Sequence, residues 1–130
     1  MPSYRIPSDE QIRQSLARLF STRQVVDTQR KLKQLVEKDM KGDEKYRVGE
    51  RRLRLLAIDS GLVELEILCR DSNEMRSLVK CPVCGARLKK VRNMTVFGGT
   101  VTLGYRCDRC KYWTGLKPRI PTRYIFTRRT

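Results

Sequence analysis

Cys81-Pro82-Val83-Cys84 and Cys107-Asp108-Arg109-Cys110 frame the stretch that decides the fold, CPVCGARLKKVRNMTVFGGTVTLGYRCDRC, residues 81–110. Each CxxC pair places two sulfurs on one side of a tight turn. A hairpin between the pairs would bring the two sides together around a tetrahedral metal ion. The chain contains no histidine, so the ligand set has to be all-cysteine. The spacing is that of structural zinc. Cys81, Cys84, Cys107 and Cys110 are therefore the expected ligands of one Zn2+ with no open coordination position. A rubredoxin-like iron site also uses two such pairs, but an electron carrier gains nothing from strongly basic surroundings. A dithiol redox pair would leave the second CxxC unexplained.

The residues between the pairs read as an antiparallel hairpin. Gly98-Gly99 supplies a turn that tolerates φ > 0, flanked by arms over 93–97 and 101–105. A third strand is expected through Tyr112-Trp113-Thr114. Gly85 follows the first pair, where a positive φ lets backbone amides point at the sulfurs. Lys111 holds the matching place after the second pair, where a left-handed conformation costs a lysine about 1 kcal/mol. A ribbon of this size cannot build a core unaided, and metal ligation usually supplies the missing stability.

Working outward, residues 1–76 read as a second, mostly helical domain. Pro2 and Pro7 make Met1–Pro7 an arm. Ser8-Asp9-Glu10-Gln11 is a capping box opening a helix with Ile12, Leu16, Leu19 and Phe20 on one face. Asp27 or Thr28 caps a second helix over 29–40, with Leu32, Leu35, Val36 and Met40 inward, ended by Lys41-Gly42-Asp43. After the 43–48 connection, a third helix runs from Gly49 to Ser60, with Leu53, Leu56 and Ala57 inward, and closes at Gly61. The period then changes to two. Val63, Leu65, Ile67 and Cys69 alternate with Glu64, Glu66 and Arg70, which is strand-like, and Asp71-Ser72-Asn73-Glu74 forms a turn or linker. Cys69 falls in the apolar register as a core thiol. Three helices followed by a strand match a helix-turn-helix domain that carries a wing, or a generic three-helix domain with a hairpin. The expected fold class is α+β, with a winged-helix-like domain at 1–76 and a zinc ribbon with a basic tail at 77–130.

Charge is unevenly placed. The whole chain carries +15. Residues 1–76 hold 16 Lys/Arg against 13 Asp/Glu, a balance of +3, whereas residues 77–130 hold 13 Lys/Arg and only Asp108, a balance of +12. Four thiolates and one Zn2+ would lower the second figure by two. An acid-poor stretch of this kind repels itself unless a polyanion screens it, and nucleic acid is the polyanion to expect. Duplex DNA and structured RNA, including the ribosome, both qualify, and the transcription machinery is a further candidate partner. In the third helix Arg51, Arg52 and Arg54 are the candidate base readers, with Arg47 on the backbone. In the ribbon and tail the candidate contacts are Lys89, Lys90, Arg92, Arg106, Arg109, Lys111, Lys117, Arg119, Arg123, Arg128 and Arg129. Phe97, Tyr105, Tyr112, Trp113, Tyr124 and Phe126 are interleaved with these cations, as in a base-stacking platform. Tyr105 and Trp113 read better as the ribbon's small core.

No histidine, Gly-rich phosphate loop, HExxH or carboxylate pair offers catalytic chemistry, so the expectation is a non-enzymatic protein with no small-molecule substrate. No apolar run could span a membrane, no signal-peptide pattern opens the chain, and reduced thiols point to the cytoplasm. Tyr46-Arg47-Val48 with Glu50-Arg51-Arg52-Leu53, then Cys81-Pro82-Val83-Cys84-Gly85, then Gly104-Tyr105-Arg106-Cys107 resemble small archaeal proteins in which a winged helix-turn-helix is joined to a zinc ribbon. The resemblance spans residues 8–126, and its specific part is the cysteine motif. It implies a transcriptional regulator, a label that itself rests on fold analogy. Lys111 departs from the pattern of the first knuckle.

Overall fold

The computed structural model describes residues 4–42 and 45–129. The elements are β1 (Tyr4–Arg5), α1 (Asp9–Thr22), β2 (Val25–Val26), α2 (Gln29–Asp39), β3 (Lys45–Tyr46), α3 (Glu50–Ser60), β4 (Val63–Asp71), β5 (Lys89–Met94), β6 (Thr100–Arg106), β7 (Trp113–Gly115) and β8 (Arg119–Arg128). This is an α+β chain. It forms two compact units, Met1–Glu66 with Arg123–Thr130, and Ile67–Thr122. The chain leaves the first unit within β4 and re-enters it within β8. The boundary expected at 76/77 lies inside the second unit.

Local signals set the helices of the first unit. Ser8 caps α1 through a complete capping box: its Oγ accepts from the Gln11 amide at 3.2 Å, and Gln11 Oε1 accepts from the Ser8 amide at 2.8 Å. Thr28, of the two candidates, caps α2 by accepting from the Lys31 amide. Gly61 ends α3 at φ +73°, the left-handed conformation that glycine adopts without a Cβ penalty. The inward stripes converge on Ile12, Leu16, Phe20, Leu32, Val36, Leu53, Leu56 and Ala57, all buried. Ser15 and Arg18 of α1 both donate to Asp39 Oδ2 at the end of α2 (2.7 and 2.8 Å). Burial would raise the Asp39 carboxyl, but the hydrogen bonds from Arg18 and Ser15 outweigh it and hold the group below its usual range.

The ends of the chain differ from expectation. Pro121–Phe126 reads in the sequence as a strand or an extended tail followed by free Arg128-Arg129, and the strand is what forms: β8 pairs antiparallel with β2 (Val25↔Thr127, Val26↔Phe126) in a sheet of order β2-β8-β4, and it takes in Arg128, which is not free. The reason is Phe126, which is fully buried in the helical core beside Val26 and Val63. Burying one such ring is worth about 1.5–3 kcal/mol, enough to hold a strand that composition alone marks as a charged extension. The expected N-terminal arm is also partly structured. β1 pairs in parallel with β3 through Tyr4↔Lys45 and Arg5↔Tyr46. Met1–Ser3 of that arm, and Asp43 and Glu44 of the expected 43–48 connection, lie outside the described residues.

The second unit is built on a three-stranded antiparallel sheet of order β5-β6-β7. The second expected arm, 101–105, lies within β6, but the first is displaced. β5 already ends at Met94, and Thr95–Gly99 form the loop, with Gly98 at φ +83°. Gly104 explains how β7 can join. A Cβ there would lie 2.2 Å from the Thr114 carbonyl oxygen, so only glycine permits that approach.

Candidate metal centre and basic surface

The two knuckles are the same turn used twice. The Cys81 amide donates to the Ala86 carbonyl, and the Cys107 amide to the Tyr112 carbonyl, each at 2.7 Å and each five residues on. Gly85 at φ +78° and Lys111 at φ +67° occupy equivalent left-handed positions. The turn therefore overrides the lysine's preference. Backbone amides turn toward the sulfurs as a result: those of Val83 and Cys84 toward Cys81, that of Ala86 toward Cys84, and that of Tyr112 toward Cys110.

All four cysteines are buried, and their Sγ atoms lie within 4.8 Å of one another. Cys81 and Cys110 Sγ are 3.4 Å apart, as are Cys84 and Cys107, and none is in a disulfide. A tetrahedron with metal–sulfur bonds of about 2.3 Å has sulfur–sulfur edges of about 3.8 Å. The cluster is thus close to the size a metal ion needs, and the four donors form a metal-ligating site. Electrostatics point the same way. The hydrogen bond from Cys110 brings the Cys81 thiol down to about 5, burial pushes Cys84 up to about 11, and Cys110 is driven up by its bond to Cys81 and by burial. Several thiolates cannot share this space without a cation, and a coordinated dication would ionise them together.

Around the cluster, Val83, Leu88, Tyr105 and Tyr112 form the buried apolar shell, so the expected core role of Tyr105 holds. Trp113 does not share it. It is 59 % exposed, with the Arg119 guanidinium 4.0 Å over its ring and Arg119 Nη1 donating to the Trp113 carbonyl. Register puts Lys89, Arg106 and Trp113 in one row across β5, β6 and β7. Asp108, the sole acid after residue 76, receives Lys89 at 2.5 Å and Arg106 at 3.7 Å. The hydrogen bond from Lys89 holds its carboxyl below the usual range. Cys69 is half-buried rather than a core thiol, and burial raises it.

The candidate nucleic-acid residues separate into two groups. Arg52 is bound to Asp9 at 2.6 Å, and Arg54 Nη1 donates to Gln29 Oε1 at 2.8 Å while its guanidinium lies over Tyr124. Gln29 in turn donates to the Glu50 carbonyl. Arg123 holds Asp27, and Arg128 donates to the carbonyls of Phe20 and Ser21 and to Gln24 Oε1. The Arg129 amide donates to the Leu62 carbonyl, and its side chain reaches Glu64 at 3.9 Å. These arginines hold the first unit together. In the second unit Lys89 and Arg106 are engaged by Asp108 and Arg119 by Trp113, and the other candidates, Arg47, Arg51, Lys90, Arg92, Arg109, Lys111 and Lys117, are exposed. Sequence reading missed one cleft of about 470 Å³ in the first unit. It gathers Lys38, Lys41, Lys45 and Arg47, together with Glu37, about Tyr4 and Tyr46, with Arg47 stacked over Tyr4 at 4.6 Å.

No helix among the described residues is long and apolar enough to cross a membrane. Comparison with protein-family models, curated proteins and solved structures returns no match.

Proposed function

We propose that this chain is a non-enzymatic nucleic-acid-binding protein of the cytoplasm, a DNA-binding transcriptional regulator made of a winged helix and a zinc ribbon. The observation that carries the reading is the second unit's surface: a four-cysteine site organises a sheet whose flanks are lysine and arginine, with no acid between residues 75 and 107. The winged-helix assignment is supported by three helices backed by a β2-β8-β4 sheet, with the β4–β8 hairpin as the wing. In that reading the ribbon is an insertion in the wing. One Zn2+ held by Cys81, Cys84, Cys107 and Cys110 is structural, because all four positions are filled by sulfur. α3 contributes Arg51 to base edges, since Arg52 and Arg54 are engaged within their own unit, and the ribbon supplies most of the phosphate attraction.

Structured RNA is the second reading, favoured by the placement of the charge away from α3. Binding to duplex DNA and to structured RNA, measured across a salt series, separates the two. Preference for duplex DNA with a steep salt slope is expected. Tighter binding to RNA, with co-sedimentation on ribosomes at high salt, would transfer the assignment. Purified protein should carry one equivalent of zinc, and its absence would remove the structural-zinc reading.

A further inference from the structure

The tip of the β5–β6 hairpin presents apolar side chains in a shape fixed in advance. Val96 and Phe97 are 97 % and 98 % exposed, and Met94 beside them is 73 % exposed. Leaving a valine and a phenylalanine in water forgoes about 1.5–3 kcal/mol each, which a turn serving only to reverse the chain has no reason to give up. The turn is nevertheless well bonded. The Thr95 amide donates to the Gly99 carbonyl at 2.7 Å, the Gly98 amide to the Thr95 carbonyl at 3.1 Å, and the Gly99 amide to Thr95 Oγ1 at 3.1 Å. Gly98 at φ +83° closes it. Behind the tip, Lys90 and Arg92 on β5 are exposed, and neither side chain is hydrogen-bonded or ion-paired to a described residue. The hairpin itself contains no acid.

An apolar tip on a stem whose only charged side chains are cations complements duplex DNA. A protein groove without acidic residues would meet the apolar tip but leave the stem charges unanswered, whereas duplex DNA offers phosphates to the stem and a base stack to the tip. Proteins that bend DNA from the minor groove insert such side chains between base pairs. We propose that Val96 and Phe97 form a wedge that enters the minor groove of duplex DNA and unstacks one base step, with Lys90 and Arg92 on the flanking phosphates. The proposal rests on the nucleic-acid reading above and adds a deformation of the duplex to it.

The test uses the whole 130-residue chain, metal-loaded, and a duplex carrying one TA step, labelled at its ends for energy transfer, because pyrimidine–purine steps unstack most easily. Wild type should raise the transfer efficiency as the duplex bends. The Val96→Ser/Phe97→Ala variant should bind about ten-fold or more weakly, without bending and with an unchanged salt slope. Phe97→Leu, which keeps an apolar wedge, should retain the bend. If wild type and the double variant bind and bend alike, the wedge is wrong while DNA binding stands. If wild type shows no salt-dependent binding at all, both readings fall. A variant that loses affinity only for single-stranded RNA, or whose sedimentation changes from dimer to monomer, would give the tip another occupant and overturn the proposal.

Discussion

At Gly104 a single hydrogen atom decides whether the third ribbon strand can pair. Replacing it with a methyl group places carbon 2.2 Å from backbone oxygen, which no rotamer relieves. Gly104→Ala should therefore cost about 1–3 kcal/mol and release β7. Trp113 is the only tryptophan and sits on that strand, so its emission and its quenching by iodide report the change directly. The cysteines titrate with their metal. With Cys81 at about 5 and Cys84 near 11, loading at pH 7 has to strip protons from Cys84 and from Cys110 above it. Calorimetric heats of metal binding should then scale with the ionisation enthalpy of the buffer, and affinity should fall as pH is lowered. Heats independent of buffer would contradict this. At this scale the clustering of the four cysteines was legible in the sequence, because tetrahedral coordination dictates both residue type and spacing. The arginines of α3 were not: the partners of Arg52 and Arg54, Asp9 and Gln29, stand 43 and 25 positions away and are brought close only by folding.

Among the elements, β8 carries the largest departure from what composition suggests. Residues 121–126 read as a strand or an extended tail with Arg128 free beyond it, yet Phe126 is fully buried and Arg128 donates to the carbonyls at the end of α1, a helix with no basic residue in its own last turn. Phe126→Ala should destabilise the first unit by about 3–5 kcal/mol, and Arg128→Ala by about 1 kcal/mol through loss of that cap. Chemical denaturation measures both, and similar values for the two would refute the burial argument. The link between α1 and α2 sets an acid limit. Asp39 titrates below its unfolded value, so its contribution is present above the unfolded carboxylate pKa of about 3.9 and is lost as pH falls through the folded value. The urea midpoint should decline below about pH 4, and Asp39→Asn should flatten that decline. The helices were legible because caps and apolar stripes are local signals. β1, β2 and β3 were not, and β8 was legible only as one of two alternatives: each is stabilised by a strand distant in the chain, and the first three span only two residues each.

Across the whole molecule, the proposed nucleic-acid binding and the division of charge together imply a division of labour between the units. An exposed cation that touches phosphate contributes about 0.9 to the slope of log affinity against log salt, whatever the sequence bound. Lys90→Ala and Arg92→Ala should each lower the slope by about one and weaken all duplexes equally. Arg52→Ala and Arg54→Ala should instead reduce stability and leave the slope unchanged, because their charges are already spent on Asp9 and on Gln29 with Tyr124. Arg51, exposed on α3, makes the discriminating case. If α3 reads base edges, Arg51→Ala costs about 1–3 kcal/mol on a preferred site selected from random duplexes, and far less on arbitrary DNA. Equal losses on both would make Arg51 one more phosphate contact, and specificity would have to come from duplex deformation. The same titrations therefore weigh the two units against each other, one for attraction and one for choice.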